Sequence, residues 1–235
     1  MMIKGNAGGG QSPIISGMLQ AMPVVMGYLP IGFAYGVLAD QAHLSLFSTV
    51  LMSLIVYAGS SQLIAAALFA AGQPMLSIVF TTFVVNLRHL LMSAALAPHL
   101  SRWPQWQRLL FAAELTDEAF ALHSLQFHKE VPSKGQVFAV NITSQLSWVV
   151  GSLLGYVAGT LFTDVEVFGL DYALPAMFVA LLILQIQHRN MVIVAVLTGL
   201  LSIGLTLLGV TTWAVIIATV IGATIGVVLD AWTKK

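Results

Sequence analysis

Asn86, Arg88 and His89 sit in the middle of an apolar run, 75–97, bounded by Pro74 and Pro98. At about 1.5 Å per helical residue the run is long enough to cross a bilayer. A guanidinium near the centre of a membrane costs roughly 2.5–3.5 kcal/mol even on the lenient insertion scale, so Arg88 must face protein or water and hold a partner. Two kinds of partner are open. One is an intramembrane carboxylate, for which Glu114, Asp117 and Glu118 are the candidates. The other is the carboxylate of a substrate, which a planar guanidinium fork matches bidentately. His89 suits either a neutral donor to a carbonyl or a proton relay.

A second polar interruption, Tyr57-Ala58-Gly59-Ser60-Ser61-Gln62, stands at the centre of the apolar stretch 46–71. A helix broken at Gly59 and capped by Ser60 or Ser61 would present free N–H groups, an anion site that needs no net charge. The same side chains could equally hydrogen-bond neighbouring helices. Glu114, Asp117 and Glu118, at i, i+3 and i+4, share one helix face. Either Thr116 caps a helix whose first turn holds Asp117 and Glu118, or one buried carboxylate carries a proton.

The elements that must position these groups are membrane helices. Of 235 residues, 58% are hydrophobic and only 8% charged, with a mean hydropathy of +0.93. A soluble domain carries about 25% charge, so the chain is expected to be an all-α integral membrane protein. Nine basic and nine acidic residues cancel, which gives no basis for a nucleic-acid partner. There is no cysteine, the six histidines form no i, i+4 pair, and no phosphate loop or dinucleotide fingerprint is present. No metal or other cofactor is implied. Gly59-Ser60-Ser61-Gln62 lacks the glycine that follows the nucleophile of a serine hydrolase, so the chain reads as no enzyme.

Apolar segments cover 14–39, 46–71, 75–97, 136–161, 172–187, 191–208 and 211–231, and 107–127 is half apolar. The expected fold is a polytopic bundle of seven to eight spans with broken helices, in one transporter domain over 13–235 behind a flexible polar tail, 1–12. Acidic 162–171 would lie outside, and 128–135, 188–190 and the C-terminus inside. Whether 107–127 crosses decides the side of the N-terminus. Pro23, Pro30, Gly27, Gly32 and Gly36 predict that 14–39 kinks or unwinds near Tyr28–Gly32. Glycines at four-residue spacing, Gly151, Gly155 and Gly159, then Gly222 and Gly226, allow close helix packing within the chain or against another subunit.

Four motifs carry a resemblance: Tyr28-Leu29-Pro30-Ile31-Gly32-Phe33-Ala34-Tyr35-Gly36, Tyr57 to Gln62, Asn86-Leu87-Arg88-His89, and Glu114-Leu115-Thr116-Asp117-Glu118-Ala119-Phe120. In order and spacing they resemble the AzlC family, the large subunit of branched-chain amino acid exporters. The resemblance runs from about residue 14 to the C-terminus and is strongest over 20–120. It implies a multi-pass protein of a prokaryotic cytoplasmic membrane that works with a small hydrophobic AzlD-type subunit and exports amino acids on the proton gradient.

The expected site follows from the motifs and the physics together. Arg88, Asn86, Ser60, Ser61, Gln62, Tyr57 and Gly59 would bind a small amino acid substrate. Tyr28, Pro30, Gly32, Tyr35 and Gly36 would line the pocket and gate it. His89, Glu114, Asp117 and Glu118 are the candidates for coupling to protons. A passive channel for small solutes, or a non-transporting membrane scaffold, are the rival expectations.

Overall fold

A computed structural model describes residues 12–127, 132–159, 172, 179, 182, 183, 186, 188–210 and 214–233. All regular structure among them is helical, and the chain divides into two units, Met1–Phe178 and Val179–Lys235. In the first unit α1 spans Pro13–Gln41, α2 Leu46–Ile55, α3 Gly59–Ala70, α4 Met75–Leu96 with a 3₁₀ turn over Ala97–Leu100, α5 Gln105–Ala113, α6 Asp117–Phe127 and α7 Lys134–Gly159. In the second, α8 is Arg189–Leu207 and α9 is Ala214–Thr233.

Four of the described helices are long and apolar enough to cross a bilayer: Pro13–Gln41, Met75–Leu100, Lys134–Gly159 and Arg189–Leu207. The expected span 46–71 is instead two half-helices, α2 and α3, and 107–127 likewise divides into α5 and α6. At about 1.5 Å per residue each half-helix reaches roughly 14–18 Å, about half the hydrocarbon thickness. The segment 172–187 lies largely outside the described residues, as do 162–171, 128–131 and the tail apart from Ser12. Ser12 accepts a hydrogen bond from the Ile15 N–H at 3.3 Å and caps α1, so it belongs to the helix.

The expected unwinding near Tyr28–Gly32 does not occur. Helix α1 continues through Pro23 and Pro30 to Gln41. Proline inside a membrane helix is tolerated where neighbouring helices support the backbone, and α1 has such support along its length from α7. A Cβ at Gly36 would overlap the Ser152 carbonyl oxygen, one at Gly155 the Phe33 carbonyl oxygen, and one at Gly151 would come within 2.7 Å of the Leu29 oxygen. Gly32 faces Trp148 and Gly159 faces Asp40 in the same seam. The first glycine stripe is therefore used inside the chain, backbone against backbone. The second is too, since Gly222 on α9 abuts Thr198 and Gly226 faces Val194, both on α8.

Two apolar cores hold the first unit. Val24, Tyr28, Tyr35, Ala39, Tyr57, Leu63, Ala66 and Trp148 gather where α1, α3 and α7 meet. Leu96, Leu100, Trp103, Phe111, Leu115, Ala119, Phe127 and Val137 form the other, around α5 and α6. The site lies where the two helix breaks come together.

Candidate functional site

The break between α2 and α3 is built on a strained residue. Tyr57 has φ of +41°, a left-handed conformation that is uncommon for a bulky side chain and persists only when the surroundings impose it. Gly59 then opens α3 against the Trp148 indole, where a Cβ would meet the ring at 2.8 Å. Gln62 fixes the geometry. Its Oε1 accepts from the Ala58 N–H at 3.2 Å and from the Trp148 indole N–H at 3.1 Å, while its Nε2 donates to Ser53 Oγ at 3.1 Å. Ser53 Oγ in turn donates to Ser152 Oγ at 2.8 Å. Ser61 ties α3 to α4, with its Oγ 2.7 Å from Asn86 Oδ1 and 3.1 Å from the Ala58 carbonyl oxygen.

These bonds assign Gln62, Ser61 and Asn86 to holding the break in place. Gln62→Leu should leave the Ala58 N–H and the indole N–H without their acceptor and remove one of the Ser53 hydroxyl's two bonds. At about 1–3 kcal/mol for a buried group left unsatisfied, the variant should melt several degrees lower in detergent, as differential scanning measures directly.

The break between α5 and α6 falls at residues 114–116. Thr116 Oγ1 accepts from the Ala119 N–H at 3.3 Å, and Asp117 and Glu118 occupy the first turn of α6. Acidic side chains are favoured there by the helix dipole. No side chain caps the first turn of α3. The N-terminal ends of two half-helices, at Gly59 and at Asp117, therefore border one cleft.

Arg88, from α4, enters that cleft. Its Nη1 is 2.8 Å from Asp117 Oδ2, and its Nη2 donates to Ser60 Oγ. Nε is buried without a hydrogen-bond partner. The Tyr28 hydroxyl donates to Glu118 Oε2 at 2.7 Å and lies 2.6 Å from Thr116 Oγ1. The Tyr28 ring packs edge-on against Tyr57 and Trp148, with centroids 6.3 and 5.3 Å away. Ile31, Tyr57, Gly59, Ser60, His89 and Trp148 complete most of the lining. The space left between these side chains is narrow. It has room for about one water.

The expected site residues divide cleanly. Arg88, Ser60, Tyr57, Gly59, Tyr28, His89, Asp117 and Glu118 come together at the cleft. Gln62, Ser61 and Asn86 stand behind it as supports. Gly32 and Gly36 pack on α7, Pro30 is exposed, and Tyr35 stacks on Trp148 with centroids 6.2 Å apart. Glu114 is buried elsewhere, facing Asn141. Trp148 and Ile31 line the cleft without having been singled out as site residues. A signal for Trp148 existed in the polar stripe Asn141, Ser144, Trp148, Ser152 along an otherwise apolar span, which marks the face of α7 turned to protein.

A family model described as "AzlC protein" matches residues 23–162. The chain is 32% identical over 219 residues to an uncharacterised membrane protein of Archaeoglobus fulgidus, covering 92% of this chain and 93% of that one. It is 28% identical over 225 residues to the inner membrane protein YgaZ of Escherichia coli K12, covering 92% and 89%. It is 30% identical over 169 residues to the branched-chain amino acid transport protein AzlC of Bacillus subtilis 168, covering 70% and 64%. No solved structure matches the chain.

Proposed function

Because the chain belongs to the AzlC family, we propose that it is the substrate-carrying subunit of a secondary transporter that moves valine, leucine or isoleucine out of the cell. It is a multi-pass protein of a prokaryotic cytoplasmic membrane. The observation that carries the proposal is the Arg88–Asp117 ion pair, held at 2.8 Å between the N-termini of two half-helices.

An α-amino acid is a carboxylate and an ammonium joined by one carbon. Entering between Arg88 and Asp117, its carboxylate takes the guanidinium fork, the Ser60 hydroxyl and the positive end of α3. Its ammonium takes Asp117 and Glu118. The pair exchanges one internal partner for two external ones, so no charge is stranded in a low-dielectric cleft. Tyr28, Ile31, Tyr57 and Trp148 offer apolar surface to a branched aliphatic side chain. Half-helix ends pointing at a zwitterion from within the membrane are a recurrent transporter device.

Because the cleft has space for about one water, substrate entry requires the pair to part and the half-helices to shift. A pore for passive solute flow would instead keep a continuous wet path. Outward transport is driven by the proton gradient, and a small AzlD-type subunit completes the transporter.

The test is a counterflow panel with labelled amino acids in vesicles holding the chain and its small subunit. Saturable exchange of valine, leucine and isoleucine, abolished by none but competing aliphatic amino acids, is the expected result. Flux that rises linearly with gradient and ignores a proton ionophore would overturn the proposal in favour of a channel.

A further inference from the structure

Away from the cleft lining, three buried side chains form a second polar group. Glu114 follows the end of α5, His123 lies on α6 and Asn141 on α7, with fractional exposures of 9%, 0% and 0%. Asn141 Oδ1 is 2.7 Å from His123 Nε2. An amide oxygen only accepts, so Nε2 carries a hydrogen and, in the neutral ring, Nδ1 keeps a free lone pair. That Nδ1, together with Asn141 Nδ2 and Glu114 Oε2, is buried and unpartnered. The Asn141 amide faces the Glu114 carboxyl without closing a hydrogen bond.

Such a cluster is unusual, because the large majority of buried polar atoms are paired. Its surroundings include aromatic rings. The Phe111 and Phe127 rings lie 5.2 and 5.4 Å from the imidazole, centroid to centroid. The titratable groups nearby are Glu118 and Asp117 in the first turn of α6, Tyr57 at the other break, and His99, which contacts Phe127. A lone carboxylate here would be costly. The group carries no net charge as a carboxylic acid that shares Asn141 with a neutral imidazole, and that form holds one exchangeable proton.

We propose that Glu114, His123 and Asn141 form the proton-carrying site of this protein, linked to the substrate cleft through the 114–116 break. The proposal rests on the transporter reading above. Loading makes one O–H bond at Glu114, with the proton taken from water on one side of the membrane. Release breaks that bond to water on the other side. His123 stays neutral and, through Asn141, sets the proton affinity of Glu114. The link to the cleft is short, since Thr116, Asp117 and Glu118 come just after Leu115 in the same break and are the residues that touch Tyr28 and Arg88.

The decisive experiment compares two transport modes of the full chain with its small subunit in vesicles. Counterflow at equal pH reads substrate movement alone. Accumulation driven by a pH difference reads coupling, and with about one proton exchanged per substrate each pH unit should support about a tenfold valine gradient. Glu114→Gln and His123→Gln should keep counterflow while the pH-driven gradient collapses to none, and Glu114→Asp should restore part of it. Either Gln variant that sustains the native gradient overturns the proposal, as does one that loses counterflow while folded.

A readout free of transport guards against variants that fail to assemble and against failure of the transporter reading itself. Infrared difference spectra of the detergent-solubilised chain across the neutral pH range should show a carboxylic acid C=O band. That band should vanish in Glu114→Gln and titrate at a different pH in His123→Gln. A spectrum without a band assignable to Glu114 would also overturn the proposal. Arg88→Ala, by contrast, should lose counterflow and keep the Glu114 band, so the two proposals fail separately.

Discussion

Arg88→Ala should reduce valine counterflow by about a hundred- to a few thousand-fold. The estimate follows from the buried pair: removing one partner strands the other at a cost of about 3–5 kcal/mol, and every 1.4 kcal/mol is about a tenfold change. Here Asp117 would lose its guanidinium and Ser60 its donor, and the substrate carboxylate would find no counter-charge. Arg88→Lys keeps the charge but not the fork, so it should rank between the two. The exchange Arg88→Asp with Asp117→Arg separates structure from function. If the pair only holds the fold, the swap should recover both stability and transport. If it receives substrate, stability should return while counterflow stays lost, because the carboxylate end would no longer face Ser60 and the start of α3. An Arg88→Ala protein that exchanges valine at the native rate would remove the assignment.

Gly155→Leu should be the most damaging single change to the fold. A Cβ at this position already overlaps the Phe33 carbonyl oxygen and comes within 2.6 Å of its carbon, and backbone cannot rotate out of the way as a side chain can. Overpacking typically costs about 1–3 kcal/mol, occasionally more. The seam is backbone on backbone, so the upper end applies, and a loss of about 3 kcal/mol corresponds to roughly 6–12 °C in Tm for a chain of this size. Gly27→Ala on α1 is the control. Nothing lies within 4 Å of a Cβ there, and the gain in helix propensity is up to about 1 kcal/mol. Its Tm should hold or rise slightly. If both variants melt with the native protein, α1 and α7 are not packed through their glycines.

Much of this site could be read from residue types alone. An arginine inside an apolar run must be paired, which pointed to Arg88 and to the acidic trio, and Asp117 is the partner found. The glycine and serines of 57–62 marked a break, because no lipid-facing helix has use for them. The capping of α6 by Thr116 follows the ordinary preference for threonine before an acidic first turn.

Where sequence and structure part, the reason is tertiary. Pro30 does not unwind α1, since α7 lies along it closely enough to support the backbone, and proximity between residues 120 positions apart leaves no local mark. The same holds for Gln62, whose three hydrogen bonds go to Ser53, Ala58 and Trp148. The bonds a buried amide makes cannot be read until its neighbours are known. His123 and Asn141 stand in separate segments, and neither is unusual in its own.

The glycine seam has one further consequence. Helices that touch only through side chains can slide by exchanging rotamers, but at Gly32, Gly36, Gly151 and Gly155 α1 and α7 meet backbone to backbone, with no rotamer to exchange. They form a strut. Alternating exposure of the cleft then has to come from the short helices, pivoting at residues 56–58 and 114–116 around that fixed axis. Spin labels placed on α1 and α7 should keep their spacing through a transport cycle, while labels on α3 or α6 swing against them.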